Sequence, residues 1–142
     1  MSAAKVPLAA LFLDYAYDEP PRIETLQAVR EHRQEHELTS PGEADLSSYV
    51  CFSQLREELQ SPFSTERPLA VDGPVTQSEF LGQLGIMERA SRLMAANPAK
   101  ANAIEMGVAR LMAPQGMGTR FKAFGIRSPS LPALPGFAVN HP

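Results

Sequence analysis

An uninterrupted apolar run, residues 8–13, lies near the amino end of the chain, and Asp14 and Tyr15 follow it directly. A continuous apolar run between polar residues is typical of a strand that helices cover on both faces. We therefore predict a strand over residues 8–17. Its carboxyl end, with Asp14 and Tyr15, lies where open α/β sheets bind their ligands.

The remaining pattern predicts two further strands, at residues 69–71 and 121–126, and several helices. Apolar residues recur at helical spacing over 45–60, 78–84, 86–96 and 98–112. Thr76 and Glu79 have the spacing of a capping box, and Asn97-Pro98 is typical of a helix start. The charged segment 22–37 is compatible with either a short helix or an irregular excursion.

These elements predict an incomplete α/β fold of about three strands plus helices, in a domain over residues 1–127 followed by a proline-rich tail over 128–142. Three strands are fewer than the roughly four to six of a usual sheet. The first strand would lie at an unprotected edge, and natural sheets avoid such edges because they recruit other strands. We therefore expect the chain either to form a dimer or to dock onto an amino-terminal half that it lacks.

Composition narrows the classes of protein. The 142 residues are 44% hydrophobic, which is enough for a core, and the net charge of −3 argues against a nucleic-acid partner. No apolar stretch approaches the roughly 20 residues that span a membrane, so we expect no membrane partner. The single cysteine, Cys51, fits a reducing compartment. We expect a bacterial cytoplasm or the mitochondrial matrix.

Four side chains are candidates for chemistry by position. Asp14 and Tyr15 could orient a cationic substrate or accept a proton, or Asp14 could cap a nearby helix. Asp45 is either a site residue or the N-cap of the helix predicted after it, and capping is favoured. Gln77 has the same ambiguity.

Residues 32–36 spell H-x-x-E-H, which on a helix would place two imidazoles one turn apart as metal ligands. Charged residues surround the motif, so a solvated polar segment is favoured and we predict no metal. Cys51 could pair with His32 or His36, but its apolar neighbours Val50 and Phe52 favour a buried, inert thiol. The sequence contains no glycine-rich nucleotide loop.

Four segments in order resemble a known family. They are Thr25-Leu26-Gln27-Ala28-Val29-Arg30 with His32-Arg33, Pro41-Gly42-Glu43-Ala44-Asp45-Leu46-Ser47, Gly73-Pro74-Val75-Thr76-Gln77 with Phe80-Leu81 and Leu84-Gly85-Ile86, and Met117-Gly118 before Phe121-Lys122. Together they resemble the C-terminal half of the MidA family of S-adenosylmethionine-dependent methyltransferases. That family includes the mitochondrial arginine methyltransferase that helps to assemble respiratory complex I.

The resemblance implies a class I, Rossmann-like methyltransferase fold. The strand at 8–17 would be the fifth of seven, and the strands at 67–73 and 119–127 the last two. The cofactor would be S-adenosylmethionine, and its main binding loop would lie upstream of Met1. The family has Asp-Tyr-Gly where this chain has Asp14-Tyr15-Ala16. A positive φ there would cost alanine roughly 1 kcal/mol or more.

The resemblance also implies a function, the transfer of a methyl group to an arginine of a protein substrate. It leaves open whether this chain alone is active. Residues expected near the acceptor pocket are Asp14, Tyr15, His32 and Asp45 in catalytic roles, with Arg33 and Gln77 as substrate contacts.

Overall fold

The computed structural model of the chain describes residues 6–17, 24–61 and 68–137. These residues form two sheets and four α-helices. The strands are β1 (Ala9–Tyr17), β2 (Gln27–Arg30), β3 (Arg33–Glu35), β4 (Asp45–Ser47), β5 (Val50–Cys51), β6 (Ala70–Thr76) and β7 (Phe121–Arg127). The helices are α1 (Phe52–Gln60), α2 (Gln77–Gln83), α3 (Ile86–Ala96) and α4 (Ala101–Met112), with a 3₁₀ turn at Pro98–Lys100 before α4.

The larger sheet has the strand order β5-β1-β7-β6. Strand β7 pairs antiparallel with both β1 and β6, so it is the central strand. Strand β5 pairs in parallel with β1, but only at Ala16 and Tyr17. The predicted α/β class and the three main strands are confirmed. Strand β6 continues to Thr76, past the predicted end at residue 73, because a bulge accommodates Gly73-Pro74 within the ladder.

Both faces of this sheet carry part of the core. On one face, Phe52 of α1 stacks on Phe124 of β7 at a centroid distance of 5.0 Å, and Ala16 completes the cluster. On the other face, Phe80 of α2 and Phe137 pack around Ala123. The segment after β7 therefore contributes to the core, although the division into residues 1–127 and 128–142 stays a prediction.

A buried ion pair fastens that segment to β6 and β7. The guanidinium of Arg127 donates to both carboxylate oxygens of Asp72, at 2.8 and 3.3 Å, and to the carbonyl of Leu131 at 2.6 Å. The amide of Leu134 donates to Asp72 Oδ2 at 3.1 Å. Two hydrogen bonds thus join β6 to β7 at this pair, and two more join the pair to residues 131–134.

The predicted capping box is confirmed. Thr76 Oγ1 accepts from the Glu79 amide, and Glu79 Oε2 accepts from the Thr76 amide at 2.8 Å. Helix α2 ends before Gly85, whose φ of 77° places it in the left-handed region that favours glycine. The Asn97 side chain does not cap the following turn, because its Nδ2 donates back to the carbonyl of Leu93.

The helix predicted over 45–60 is wrong in its first part. Residues 45–47 form β4, Val50–Cys51 form β5, and α1 begins only at Phe52. Strand β4 pairs with β2. This pairing between segments distant in sequence outweighs the helical spacing of the apolar residues.

The segment 22–37 is neither a helix nor irregular where the structure describes it. Strands β2 and β3 form a hairpin, and with β4 they make a three-stranded sheet of order β3-β2-β4. Glu31 and His32 are the two loop residues, with φ of 49° and 64°. Tight two-residue loops need positive φ, which Asn and Gly usually provide. Because Glu31 and His32 are not typical residues for such a loop, the sequence does not predict this turn.

No helix within the described ranges is long and apolar enough to cross a membrane.

Candidate functional site

The carboxyl end of β1 places Asp14 and Tyr15 at an end of the larger sheet, as predicted. Asp14 is exposed and lies opposite Lys122 of β7, which in turn lies opposite Thr76 of β6. Asp14 Oδ1 accepts from the Tyr15 amide at 2.8 Å. The alternative of a helix cap finds no support in this contact, because the amide belongs to a strand.

Hydrogen bonds at both ends of β1 fix the side to which each amide points. The Ala16 amide donates to the Arg120 carbonyl, and Leu8 exchanges bonds with Ser128. Every second residue of a strand directs its amide to the same side. Even-numbered amides therefore point toward β7. The amides of Leu11 and Leu13 point toward the opposite edge, where the only described neighbour, β5, pairs at Ala16 and Tyr17.

This open edge of β1 also carries exposed apolar side chains. Leu11 is 47% exposed, Phe12 44% and Leu13 42%. Adjacent strand residues point to opposite faces, so apolar surface is exposed on both faces of the strand. Strand β7 therefore pairs with β1 along one side, while the described residues pair with its other side only at Ala16 and Tyr17. The prediction that β1 is an edge strand is wrong, because β5 lies beyond it in the sheet, but residues 9–13 lack a described partner on that side.

The departure at Ala16 costs nothing visible in the structure. Ala16 lies in the extended strand β1, is 6% exposed, and packs with Phe52 and Phe124. Its Cβ fills space in the core. The strain expected for a positive φ at this position is therefore absent.

Four aromatic rings surround the end of β1. The Tyr49 ring stacks on Tyr15 at a centroid distance of 5.4 Å and on Tyr17 at 4.8 Å. Tyr15 also lies 4.0 Å from Phe121, its partner in β7. We call these four residues the aromatic cluster. Tyr49, which no motif indicates, connects the two sheets, because its amide donates to Thr25 Oγ1 just before β2.

A polar cavity of about 360 Å³ lies beside the aromatic cluster. It is lined by Ala16, Tyr17, Tyr49, Thr119, Arg120 and Lys122. No sequence motif indicates Thr119, Arg120 or Lys122, which lie just before β7 or in its first two residues.

The other predicted site residues lie apart from this strand end. His32, Arg33 and Asp45 are exposed on the three-stranded sheet, and none of their strands pairs with β1. Asp45 lies opposite Val29 in β4 and is not an N-cap. The structure shows no direct contact between these three side chains and Asp14. Their role in an acceptor pocket stays a prediction.

The metal alternative is wrong in its geometry. His32 lies in the hairpin loop and His36 follows β3, so the two imidazoles are not one helical turn apart. In the described part of the chain, no three His, Cys, Asp or Glu side chains are grouped to hold a metal ion. Cys51 is half-buried, and its Sγ lies 3.2 Å from Ser53 Oγ.

Gln77 is buried at the first position of α2, with 4% exposure. Its Nε2 donates to the carbonyl of Leu111 at 2.8 Å and so ties α2 to α4. This contact favours a structural role, and the predicted substrate contact stays a prediction.

Comparison with known proteins identifies the relatives of the chain. Residues 5–68 match the family described as "Putative S-adenosyl-L-methionine-dependent methyltransferase". Over 120 residues the chain is 38% identical to the protein arginine methyltransferase NDUFAF7, mitochondrial, of Rattus norvegicus, and 33% identical to its Homo sapiens counterpart. The chain is related to S-adenosyl-L-methionine-dependent methyltransferases. The resemblance seen in the motifs is thereby confirmed.

The matches cover only part of these relatives. The aligned region is 83% of this chain but 26% of the rat protein. Two crystal structures of Burkholderia thailandensis proteins superpose with TM-scores of 0.76 and 0.75 at 24% and 23% identity, and the second contains S-adenosyl-homocysteine. Each covers 92% of this chain, while the chain covers 36% and 34% of theirs. The likeness confirms the predicted α/β fold, which corresponds to part of the Rossmann-like fold of these structures.

Proposed function

We propose that the chain is the C-terminal portion of an S-adenosylmethionine-dependent protein arginine methyltransferase and supplies the acceptor side of its active site. The cofactor loop then belongs to an amino-terminal half that this chain does not contain. The substrate is a protein arginine, as the names of the curated relatives suggest.

The observation that carries this proposal is the open edge of β1. Its outward amides and its exposed apolar side chains on both faces are what an inner strand of a larger sheet presents. The sequence lacks a glycine-rich nucleotide loop, and the rat relative is several times longer than the aligned region. A further strand on this edge, with the cofactor loop near it, supplies both missing parts.

In this account Asp14 holds the guanidinium of the acceptor arginine and helps to remove its proton during attack on the sulfonium methyl group. A carboxylate accepts two hydrogen bonds from a guanidinium in a planar arrangement, which orients the attacking nitrogen. Tyr15 lies beside it. His32, Arg33 and Asp45 contact the acceptor only if the three-stranded sheet faces the active site in the complete enzyme. Gln77, which follows β6, is the remaining predicted substrate contact.

The relatives named mitochondrial support the mitochondrial matrix over a bacterial cytoplasm as the compartment. A role in the assembly of respiratory complex I rests on the family resemblance alone, and both the compartment and this role stay predictions.

A chimera tests the proposal. The region of the rat relative that aligns with this chain is replaced by the chain itself, and binding of S-adenosylmethionine is measured by calorimetry. We expect the chimera to bind the cofactor and to methylate arginine peptides, and the isolated chain to show no micromolar binding. In the chimera, Asp14→Asn should abolish transfer while cofactor binding persists. Micromolar binding to the isolated chain, or an inactive folded chimera, would contradict the proposal.

A second candidate is a non-catalytic half-domain that pairs with its own copy. The free stretch of β1 supports it, because residues 9–13 carry no charge or proline that would block edge-to-edge pairing. Light scattering separates the candidates. A stable dimer of the isolated chain, found together with an inactive chimera, would favour self-association.

A further inference from the structure

Helices α3 and α4 form a pair whose apolar surface is largely exposed. Helix α4 is rich in apolar residues, yet none of its 12 residues is buried, and Ala90 is the one buried residue of α3. Met87 of α3 is 56% exposed and Met106 of α4 is 65% exposed. A helix of this composition normally buries an apolar stripe against a neighbour. The described part of the chain leaves much of this surface in water.

An open groove of about 520 Å³ lies between the two helices. Each helix lines it with residues at positions i, i+3, i+4 and i+7, which share one face of a helix. On α4 these positions run from Glu105 to Met112, and on α3 they are Met87, Ala90, Ser91 and Met94. The small residues leave room between the helices, and methionine side chains adapt to the shape of the group that packs on them. The groove therefore has the form that receives a further amphipathic helix.

The charges beside the groove are self-complementary. Glu88 and Arg92 are four residues apart, so they lie on the same side of α3, next to the stripe. Both are exposed, and among the described residues neither of them forms an ion pair. When two copies of α3 cross antiparallel at Ala90, Glu88 of each copy faces Arg92 of the other. A parallel crossing would place like charges together, so the pattern favours the antiparallel one.

We propose that the chain forms a two-fold symmetric dimer in which the groove between α3 and α4 of each copy receives α3 of the other. The same surface then serves both copies, as it does in two-fold dimers generally. Burial of the methionine side chains drives the association, and the two Glu88–Arg92 pairs set its orientation. Neither helix belongs to a sheet, so this dimer needs no pairing at β1, and the proposal does not depend on the proposed function.

Analytical ultracentrifugation of the full chain tests the proposal. We expect an equilibrium between monomer and dimer with a dissociation constant that is roughly micromolar. Met87→Lys places an unpaired charge in the groove and should raise the dissociation constant at least roughly tenfold. The matched control is Leu13→Lys, which introduces the same charge at an exposed apolar residue of β1 and should leave the dissociation constant unchanged.

Reversal of the charges tests the orientation. Glu88→Arg alone, or Arg92→Glu alone, places like charges opposite each other twice in the dimer, and each should raise the dissociation constant roughly tenfold. The double variant restores opposite charges and should return the dissociation constant to within roughly threefold of the original value. Circular dichroism of dilute, monomeric samples shows whether each variant is folded. These exposed charge variants keep the test valid if Met87→Lys does not fold.

A chain that stays monomeric at submillimolar concentration would overturn the proposal. A dimer that Leu13→Lys dissociates and Met87→Lys leaves intact would also overturn it, because such a dimer pairs through β1. If the double variant associates as weakly as the single variants, Glu88 and Arg92 do not face each other, and the proposed packing is wrong.

Discussion

The β6 edge of the larger sheet differs from the side of β1 that faces away from β7, which β5 covers only at Ala16 and Tyr17. At the β6 edge, Pro74 removes an amide, a bulge lies between Asp72 and Val75, and the Asp72–Arg127 pair anchors residues 131–134 nearby. In β1, pairing with β7 is regular over residues 9–15, and the exposed side chains of residues 11–13 are apolar.

Bulges, prolines and inward charges are the means by which natural sheets prevent further strands from adding to an edge. Strand β6 has these features, as an edge strand does. Strand β1 has none of them over residues 9–13, as is typical of an inner strand. This difference supports the proposal that β1 receives a further strand in the complete enzyme, and the chain aligns with only 26% of the rat relative.

The largest effect should come from one pair of facing residues. Phe12 and Phe124 are opposite each other in β1 and β7, yet Phe124 is fully buried and Phe12 is 44% exposed. Phe124→Ala should lower the free energy of unfolding by about 3–5 kcal/mol. Phe12→Ala should lower it by only about 1 kcal/mol, because half of its surface is already in water. Urea unfolding of the isolated chain measures both, and equal losses would mean that the β1 edge is covered.

Breaking the ion pair at the closed edge should come next. Asp72→Asn leaves the Arg127 charge with 16% exposure and no carboxylate, which should cost about 3 kcal/mol. The control is the ion pair between Arg30 of β2 and Glu43 in the turn before β4, whose side chains are 43% and 62% exposed. Glu43→Gln should change stability by less than about 1 kcal/mol. Thermal unfolding measures both variants. Similar decreases in melting temperature would show that the Asp72–Arg127 pair does not stabilise the β6 edge.

The capping box should have a smaller effect. Thr76→Ala removes the acceptor of the Glu79 amide at the start of α2 and should cost about 1 kcal/mol. Thr76→Ser keeps the hydroxyl and should recover most of that loss. If the serine variant melts as low as the alanine variant, the methyl group and not the cap stabilises this helix start.

A charge on the open edge should have the smallest effect on stability and a clear one on association. Leu13→Lys, at 42% exposure, should change the free energy of unfolding by about 0.5 kcal/mol. A lysine on an edge opposes the addition of a strand. In the chimera it should therefore reduce cofactor binding and transfer, and full activity would show that the β1 edge receives no strand.

The sequence predicted the main strands and α2 to α4 because their signals are local. Six apolar residues in a row, the Thr76–Glu79 spacing and Pro98 each depend on near neighbours. The hairpin was missed because Glu31 and His32 adopt a backbone conformation that their types rarely choose. The start of α1 was misplaced because pairing of β4 with β2 is a contact distant in sequence.

The site could be predicted only in part. Asp14 and Tyr15 were found because a strand end is visible in the pattern. Tyr49 lies 34 positions from Tyr15 in sequence, and its stacking depends on how β5 returns to β1. Arg120 and Lys122 meet the same strand end only through antiparallel pairing of β7. Contacts of this kind can be predicted only when the order and direction of the strands in the sheet are known.

Amide hydrogen exchange along β1 tests the central claim most directly. In the isolated chain, the amides of Phe12 and Asp14 point toward β7 and should exchange slowly, while those of Leu11 and Leu13 should exchange almost as fast as in an unfolded chain. In the chimera, Leu11 and Leu13 should become as protected as their even-numbered neighbours. Strong protection of Leu11 and Leu13 in the monomeric chain, or their continued rapid exchange in an active chimera, would contradict the account.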